Sequence, residues 1–293
     1  MPNYLDELHS ILLQQKNCED WDSGLNGRSA VALFFFYHYK LTNKIDSYNR
    51  GIELIEYELN NLKNISSVSL FNGISGIAWS INHLCDENLL DFVHDEILPN
   101  LFEKSLKKIF FSKDLILSNQ HFETNCDILF YFVERFSSTK SKKFKEKYKI
   151  FINQSLIFFT HSFYQLKENN YYENISVKIL ESFIKILNLL KNLFSSPLID
   201  FLLSESIKWI IKNPLIQSNS SIYRHVNISL TYIKDEKFIK KVNIFLNKKS
   251  TENISLCNSK EIGIWNSGYS KVGLKLITEQ EDCIKDTLQY LLY

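Results

Sequence analysis

Turn-forming residues are scarce in this chain: its 293 residues include only 8 glycines and 4 prolines. An all-β protein would need a turn roughly every ten residues and would lack the turn chemistry here, so helix is the default reading. Disulfide chemistry is missing too. The five cysteines, Cys18, Cys85, Cys126, Cys257 and Cys283, are odd in number, far apart and contain no CxxC pair, which excludes a secreted disulfide framework. There is no excess of one charge, with 34 basic against 33 acidic side chains, so a broadly basic nucleic-acid binder is excluded. No apolar run is long enough to cross a bilayer; Val31 to Tyr37 is typical. Met1 to Ser10 carries Asp6, Glu7 and His9 where a signal peptide needs basic residues and then an apolar stretch, so the expectation is a cytoplasmic protein.

What the chain does have is a 45% hydrophobic content, enough for a substantial core and too much for a disordered segment. Its few glycines are also clustered: Gly24 and Gly27, Gly73 and Gly76, then Gly263, Gly268 and Gly273. The stretches Trp21-Asp22-Ser23-Gly24-Leu25-Asn26 and Trp265-Asn266-Ser267-Gly268-Tyr269-Ser270 are two copies of one element. Leu70-Phe71-Asn72-Gly73-Ile74-Ser75-Gly76 keeps the register with an apolar residue in place of tryptophan. Each copy precedes an apolar run: Ala30 to Tyr37, Ile77 to Leu84 and Val272 to Ile277.

The first two copies lie 49 residues apart, room for two helices and two loops, so each repeat is expected to be a helical hairpin. Extending the period places degenerate repeats near Thr124, Ile175 and Tyr223. From Val177 to Phe194, Lys178, Glu181, Ser182, Lys185, Asn188, Lys191 and Asn192 leave one polar stripe on an otherwise apolar helix. Ser196-Pro197 starts another helix that runs through Ile211 and stops before Pro214. Asp235 to Leu246 is a further candidate, and the basic run Lys140 to Lys147 reads as a solvated loop and helix start. No Pro/Ser-rich linker divides the chain, so residues 1–293 are expected to form one domain.

A GxxG pair at a loop-to-helix junction permits positive φ or close backbone approach. It can serve as a packing device between hairpins, or present a row of backbone N–H groups to an anion or a peptide carbonyl. Three copies in register resemble the lanthionine synthetase C (LanC-like) family. The residues carrying the resemblance are Ser23 to Leu33, Asn72 to Trp79, and Trp265 to Leu274. The resemblance implies an all-α fold, an α/α toroid of about six to seven helical hairpins whose inner helices converge on one axis, with the first and last repeats side by side. It implies a function in lanthipeptide-type peptide biosynthesis, in which thioether rings are closed on dehydrated precursor peptides. Family members bind one zinc through a cysteine in a Trp-Cys-Tyr-Gly stretch and a Cys-His pair in a Cys-His-Gly stretch. The zinc holds the substrate cysteine as a thiolate, which adds to dehydroalanine or dehydrobutyrine.

This chain departs from that pattern. The register puts Ile222-Tyr223-Arg224-His225 where the first ligand motif should lie, without its cysteine, and Cys257-Asn258-Ser259 lacks the histidine of the second. Cys257 is the one candidate metal residue left, unless His225 with Cys257 and Cys283 or Cys126 rebuilds a site. The expectation is a divergent, shortened, zinc-less relative with no cofactor, which binds or positions a precursor peptide or a partner modification enzyme. The alternative is an active cyclase, with zinc. An unrelated α/α enzyme would need paired carboxylates, and Glu123 and Asp127 share one hairpin; an open solenoid would not need the glycine motifs. His225, His121, Arg224 and Glu123 are candidate catalytic residues. Trp21, Asp22, Asn72, Tyr223, Trp265 and Asn266 are candidates for lining a peptide cavity.

Overall fold

The computed structural model describes residues 2–15, 21–91, 94–112, 119–168, 176–212, 220–247, 273–275 and 277. The regular elements among the described residues are all helices, with no strand among them. The chain divides into two compact units, one of Met1–Ile109 with Leu256–Tyr293, the other of Phe110–Ser255.

In the first unit, α1 (Pro2–Gln14) buries Leu5, Leu8 and Leu12, a stripe at helical spacing. α2 (Arg28–Thr42) contains the first apolar run and is buried on every side from Arg28 to His38. Asn43, in the left-handed conformation at φ 57°, ends α2 by donating its N–H to the Tyr39 carbonyl. With only Asn43 and Lys44 between them, α3 (Ile45–Asn60) folds back along α2 as a hairpin. Its buried positions, Ser47, Gly51, Leu54, Ile55 and Glu58, form one face. Gly51 lets the two helices approach, since a methyl group there would stand 2.8 Å from a Phe36 ring carbon. α4 (Ile74–Asp86) is buried from Ser75 to Cys85 and packs on α2. Tyr37 Oη hydrogen-bonds His83 Nε2 at 2.8 Å, and the His83 ring stacks on Trp79 at 4.9 Å. α5 (His94–Leu98) passes through a π-helical turn, Pro99–Glu103, into α6 (Lys104–Phe110).

In the second unit, α7 (Asn119–Ser138) and α8 (Lys142–Glu168) make one hairpin, α9 (Val177–Leu193) and α10 (Pro197–Lys212) the next. α9 also packs on α7 and on α11 (Ser220–Leu230). Phenylalanines fill the space between α7, α8 and α9: Phe132 lies 4.2 Å from Phe151, and Phe159 lies 4.9 Å from Phe183, centroid to centroid. Such tilted and edge contacts add to what area burial alone supplies. α12 (Glu236–Asn247) starts on Asp235, whose carboxylate accepts the Lys237 and Phe238 amides.

The all-α expectation holds, and the repeat register places helix starts well: α2, α4, α9 and α11 begin within four residues of Gly24, Gly73, Ile175 and Tyr223. α7 begins five residues before Thr124. α9, α10 and α12 match their expected spans to within a residue or two. Gly268 and its flanking motif lie outside the described residues, but Gly273, five positions on, packs against Phe34 of α2. Gly273 of the last repeat therefore meets α2 of the first within one unit.

Candidate functional site

The first two glycine motifs lock together. Gly24 takes φ +67°, and its Cα faces the Phe71 carbonyl so closely that a methyl there would lie 2.8 Å from the oxygen. The Leu25 amide donates to the Leu70 carbonyl at 3.3 Å and the Asn26 amide to Phe71 at 2.7 Å. Gly27 donates to the Gly24 carbonyl and Arg28 to Asp22. In the second motif, Ile74 and Ser75 donate to Ser67 and Val68, and Gly76 to Gly73. Of the two uses open to a GxxG pair, the structure realises packing. The amides from Gly24 to Arg28 are bonded inside the protein, so none is left to hold an external anion or carbonyl.

Glu58 anchors this junction. Its carboxylate accepts the Gly24 amide at 3.1 Å and the Ser29 hydroxyl at 2.5 Å, with the Arg28 guanidinium 3.8 Å away. Arg28 also donates to the Trp21 carbonyl and to Ser23 Oγ, and lies over the Tyr57 ring at 5.0 Å. Burial raises the Glu58 carboxyl to about 7, against the opposing pull of Ser29, Gly24 and Arg28. Glu58 did not figure among the candidates from sequence. Its signal was its phase: it shares one helical face with Ser47, Gly51, Leu54 and Ile55, while Glu53 and Glu56 do not.

Of the candidate cavity residues, Trp21 is half-buried, and Asp22 and Asn72 are exposed. The Asn26–Phe71 bond ties together the two loops on which these residues lie. Tyr223 lies on α11 in the second unit, and Trp265 and Asn266 are outside the described residues.

The candidate catalytic residues all lie in the second unit. His121 and Glu123 are half-buried in the first turns of α7; Arg224 is exposed and His225 buried on α11. Part of the polar stripe of α9 meets α11 and the turn after it, with Asn188 buried there and Asn192 exposed. Asn188 donates to the His225 carbonyl at 3.1 Å and accepts from the Ser229 hydroxyl at 2.8 Å, and Asn192 accepts from Tyr232 at 2.5 Å. Glu181 and Lys185 pair at 3.2 Å on the same stripe. Burial, then the Lys185 charge, lowers His225 to about 4, with Glu181 opposing and Arg224 adding, so its ring is neutral at pH 7. A neutral imidazole beside an ammonium–carboxylate pair can hydrogen-bond a substrate, but it holds a proton weakly.

The donors needed for zinc do not converge among the described residues. Ile222, which the resemblance sets where a thiolate ligand would be expected, is a fully buried hydrocarbon side chain. Cys126 is buried in α7, where burial and then the Asp127 and Glu123 carboxylates raise its thiol well above the usual range, opposite to what a ligand thiolate needs. No group of three His, Cys, Asp or Glu side chains among the described residues could hold a metal. Cys257, Asn258 and Cys283 lie outside the described residues. Among the described residues no helix is long and apolar enough to cross a membrane.

Residues 20–111, about a third of the chain, match the family model for Lanthionine synthetase C-like protein. The match takes in both locked glycine motifs and Glu58. No curated protein and no solved structure matches the chain.

Proposed function

We propose that this lanthionine synthetase C-like chain serves a ribosomal, lanthipeptide-type peptide pathway without zinc, binding or positioning a precursor peptide or a partner modification enzyme. The observation that carries the reading is Ile222. Where the resemblance calls for a cysteine thiolate, the chain has an apolar side chain buried against its neighbours. A tetrahedral catalytic zinc takes about three protein ligands. Losing one to hydrocarbon removes both a ligand bond and the negative charge that balances the cation. Trp21, Asp22 and Asn72 carry an aromatic face, a carboxylate and an amide, groups that hold a peptide without activating a thiol.

Two measurements on one purified sample test this. Metal analysis after dialysis against a mild chelator is expected to find no stoichiometric zinc. A Cys/Ser/Thr-rich precursor peptide encoded beside the protein is expected to bind without gaining thioether rings after dehydration. One zinc per chain, abolished by Cys257→Ala and accompanied by ring formation, would establish the active cyclase instead. Absence of peptide binding together with absence of zinc would remove the peptide pathway altogether.

A further inference from the structure

We propose that the outer face of α8 is a docking surface for an acidic amphipathic helix of a peptide partner. Ile150, Ile157 and Tyr164 stand seven residues apart and are 57%, 61% and 49% exposed. Residues at that spacing drift by only about 20° per heptad around a helix, so the three form one line. Along it the intervening positions 154 and 161 carry Gln154 and His161, both exposed. The row from Ile150 to Tyr164 is about 21 Å long at ~1.5 Å per residue, three to four turns of a partner helix.

Two neighbours widen this row. Half-buried Phe158 flanks it, and Phe111, 41% exposed, sits edge-on to Phe151 at 5.6 Å and to Phe158 at 6.3 Å. At the far end the Tyr164 ring stacks on Phe201 of α10 at 5.4 Å. An isolated exposed isoleucine needs no explanation, but a heptad-spaced row with an aromatic shoulder is the half-seam of a helix pair.

Charge identifies the occupant. The first two turns of α8 expose Lys142, Lys143, Lys145, Lys147 and Lys149 against one acid, Glu146. Lys143 lies one heptad before Ile150 on the same line. A partner helix is therefore apolar where it meets Ile150 to Tyr164 and acidic where it meets the lysine-rich end. A second copy of this chain would bring five more lysines to the contact. A bilayer would need a broad apolar face, whereas Gln154 and His161 interrupt this narrow one.

The proposal rests on the peptide-partner reading above, and its test separates the two. The probe is a fluorescein-labelled designed 21-residue helix with leucines at heptad spacing and glutamates at one end, followed by anisotropy. Ile150→Ser with Ile157→Ser is expected to weaken binding at least tenfold, and Lys143→Glu with Lys147→Glu likewise. A probe with lysines in place of its glutamates should recover binding to the charge-reversed variant. Circular dichroism melting checks that these surface variants remain folded. Unchanged affinity in both variants would overturn the proposal, as would a dimer dispersed by Ile157→Lys or binding to anionic vesicles that the same changes abolish. If the precursor peptide binds both variants like the wild type, the α8 face is wrong and the peptide reading stands. If only the designed probe binds, the face stands and that reading falls.

Discussion

Gly273 lies against the ring of Phe34, so near that a methyl at Gly273 would overlap the ring's edge carbons. The contact joins two residues from opposite ends of the repeat register. Gly273→Val is therefore expected to destabilise the protein by about 1–3 kcal/mol through overpacking. Phe34→Leu should partly relieve the loss, and a double-mutant cycle by thermal melting measures the coupling. Additive effects of the two changes would refute the contact.

Gly24 and Gly27 carry a second expectation. Gly24→Val forces a β-branched side chain to positive φ and onto the Phe71 carbonyl, and a Cβ at Gly27 would overlap the Asp22 carbonyl. Each should lower stability by at least about 1–3 kcal/mol, with Gly73→Val, which meets the Ser67 backbone, behaving alike. An unchanged melting temperature for all three would show that the glycines are not structurally required.

Glu58 gives stability an unusual pH dependence. Its folded pKa is about 7 against an ordinary 4.5, so between these values the folded protein binds more protons than the unfolded chain. This contribution is complete below pH 4.5 and is lost as pH rises through 7, amounting to at most about 3 kcal/mol. Denaturant unfolding of Glu58→Gln between pH 5 and 8 is expected to lack this decline. A variant as pH-dependent as the wild type would place the effect elsewhere.

The histidines act in the opposite sense. His9 and His38 stack at 4.2 Å, and both ring nitrogens facing Ser47 Oγ lie 2.9 Å from it. Burial, then His9 and Lys44, lowers His38 to about 4 despite Asp6; burial, then Lys44, lowers His9 despite Asp6 and Asp46. Both groups contribute stability above pH 6.5 that is lost as pH falls, for His38 through about 4. His38→Gln should flatten the acid limb of the stability profile. Proton-detected titration of both rings checks the cause, and a His38 titrating near 6.5 would contradict it.

Asn188 joins α9 to α11 through the His225 carbonyl and Ser229. The Ser229 hydroxyl also donates to the His225 carbonyl at 2.9 Å, so Asn188→Leu removes two hydrogen bonds but leaves these groups bonded to each other, and is expected to cost about 1 kcal/mol. The readout is the urea midpoint, and an unaltered midpoint would mean that other groups satisfy the pair.

Helix starts were legible because glycine marks a backbone event, and α9, α10 and α12 because caps and periodicity agreed. Other elements carried weaker signals. α8 mixes buried and exposed aromatic and aliphatic residues, among them Phe159 beside Ile157, which blurs any single stripe. The α9 polar stripe was readable as a stripe, yet nothing local told whether solvent or Ser229 would face it. Glu58 and the His9–His38 pair were missed for a related reason. Their partners come from separate helices, and only tertiary packing turns a scattered acid or imidazole into a buried junction.

The junction around Gly24 and Gly73 is closed by the protein's own carbonyls and by one glutamate. The amides from Gly24 to Arg28 are all bonded to these groups, so the two loops fasten each other directly. The fastening is internal to the backbone and one buried acid, so an exposed residue such as Asp22 or Asn72 can change its side chain without loosening the latch.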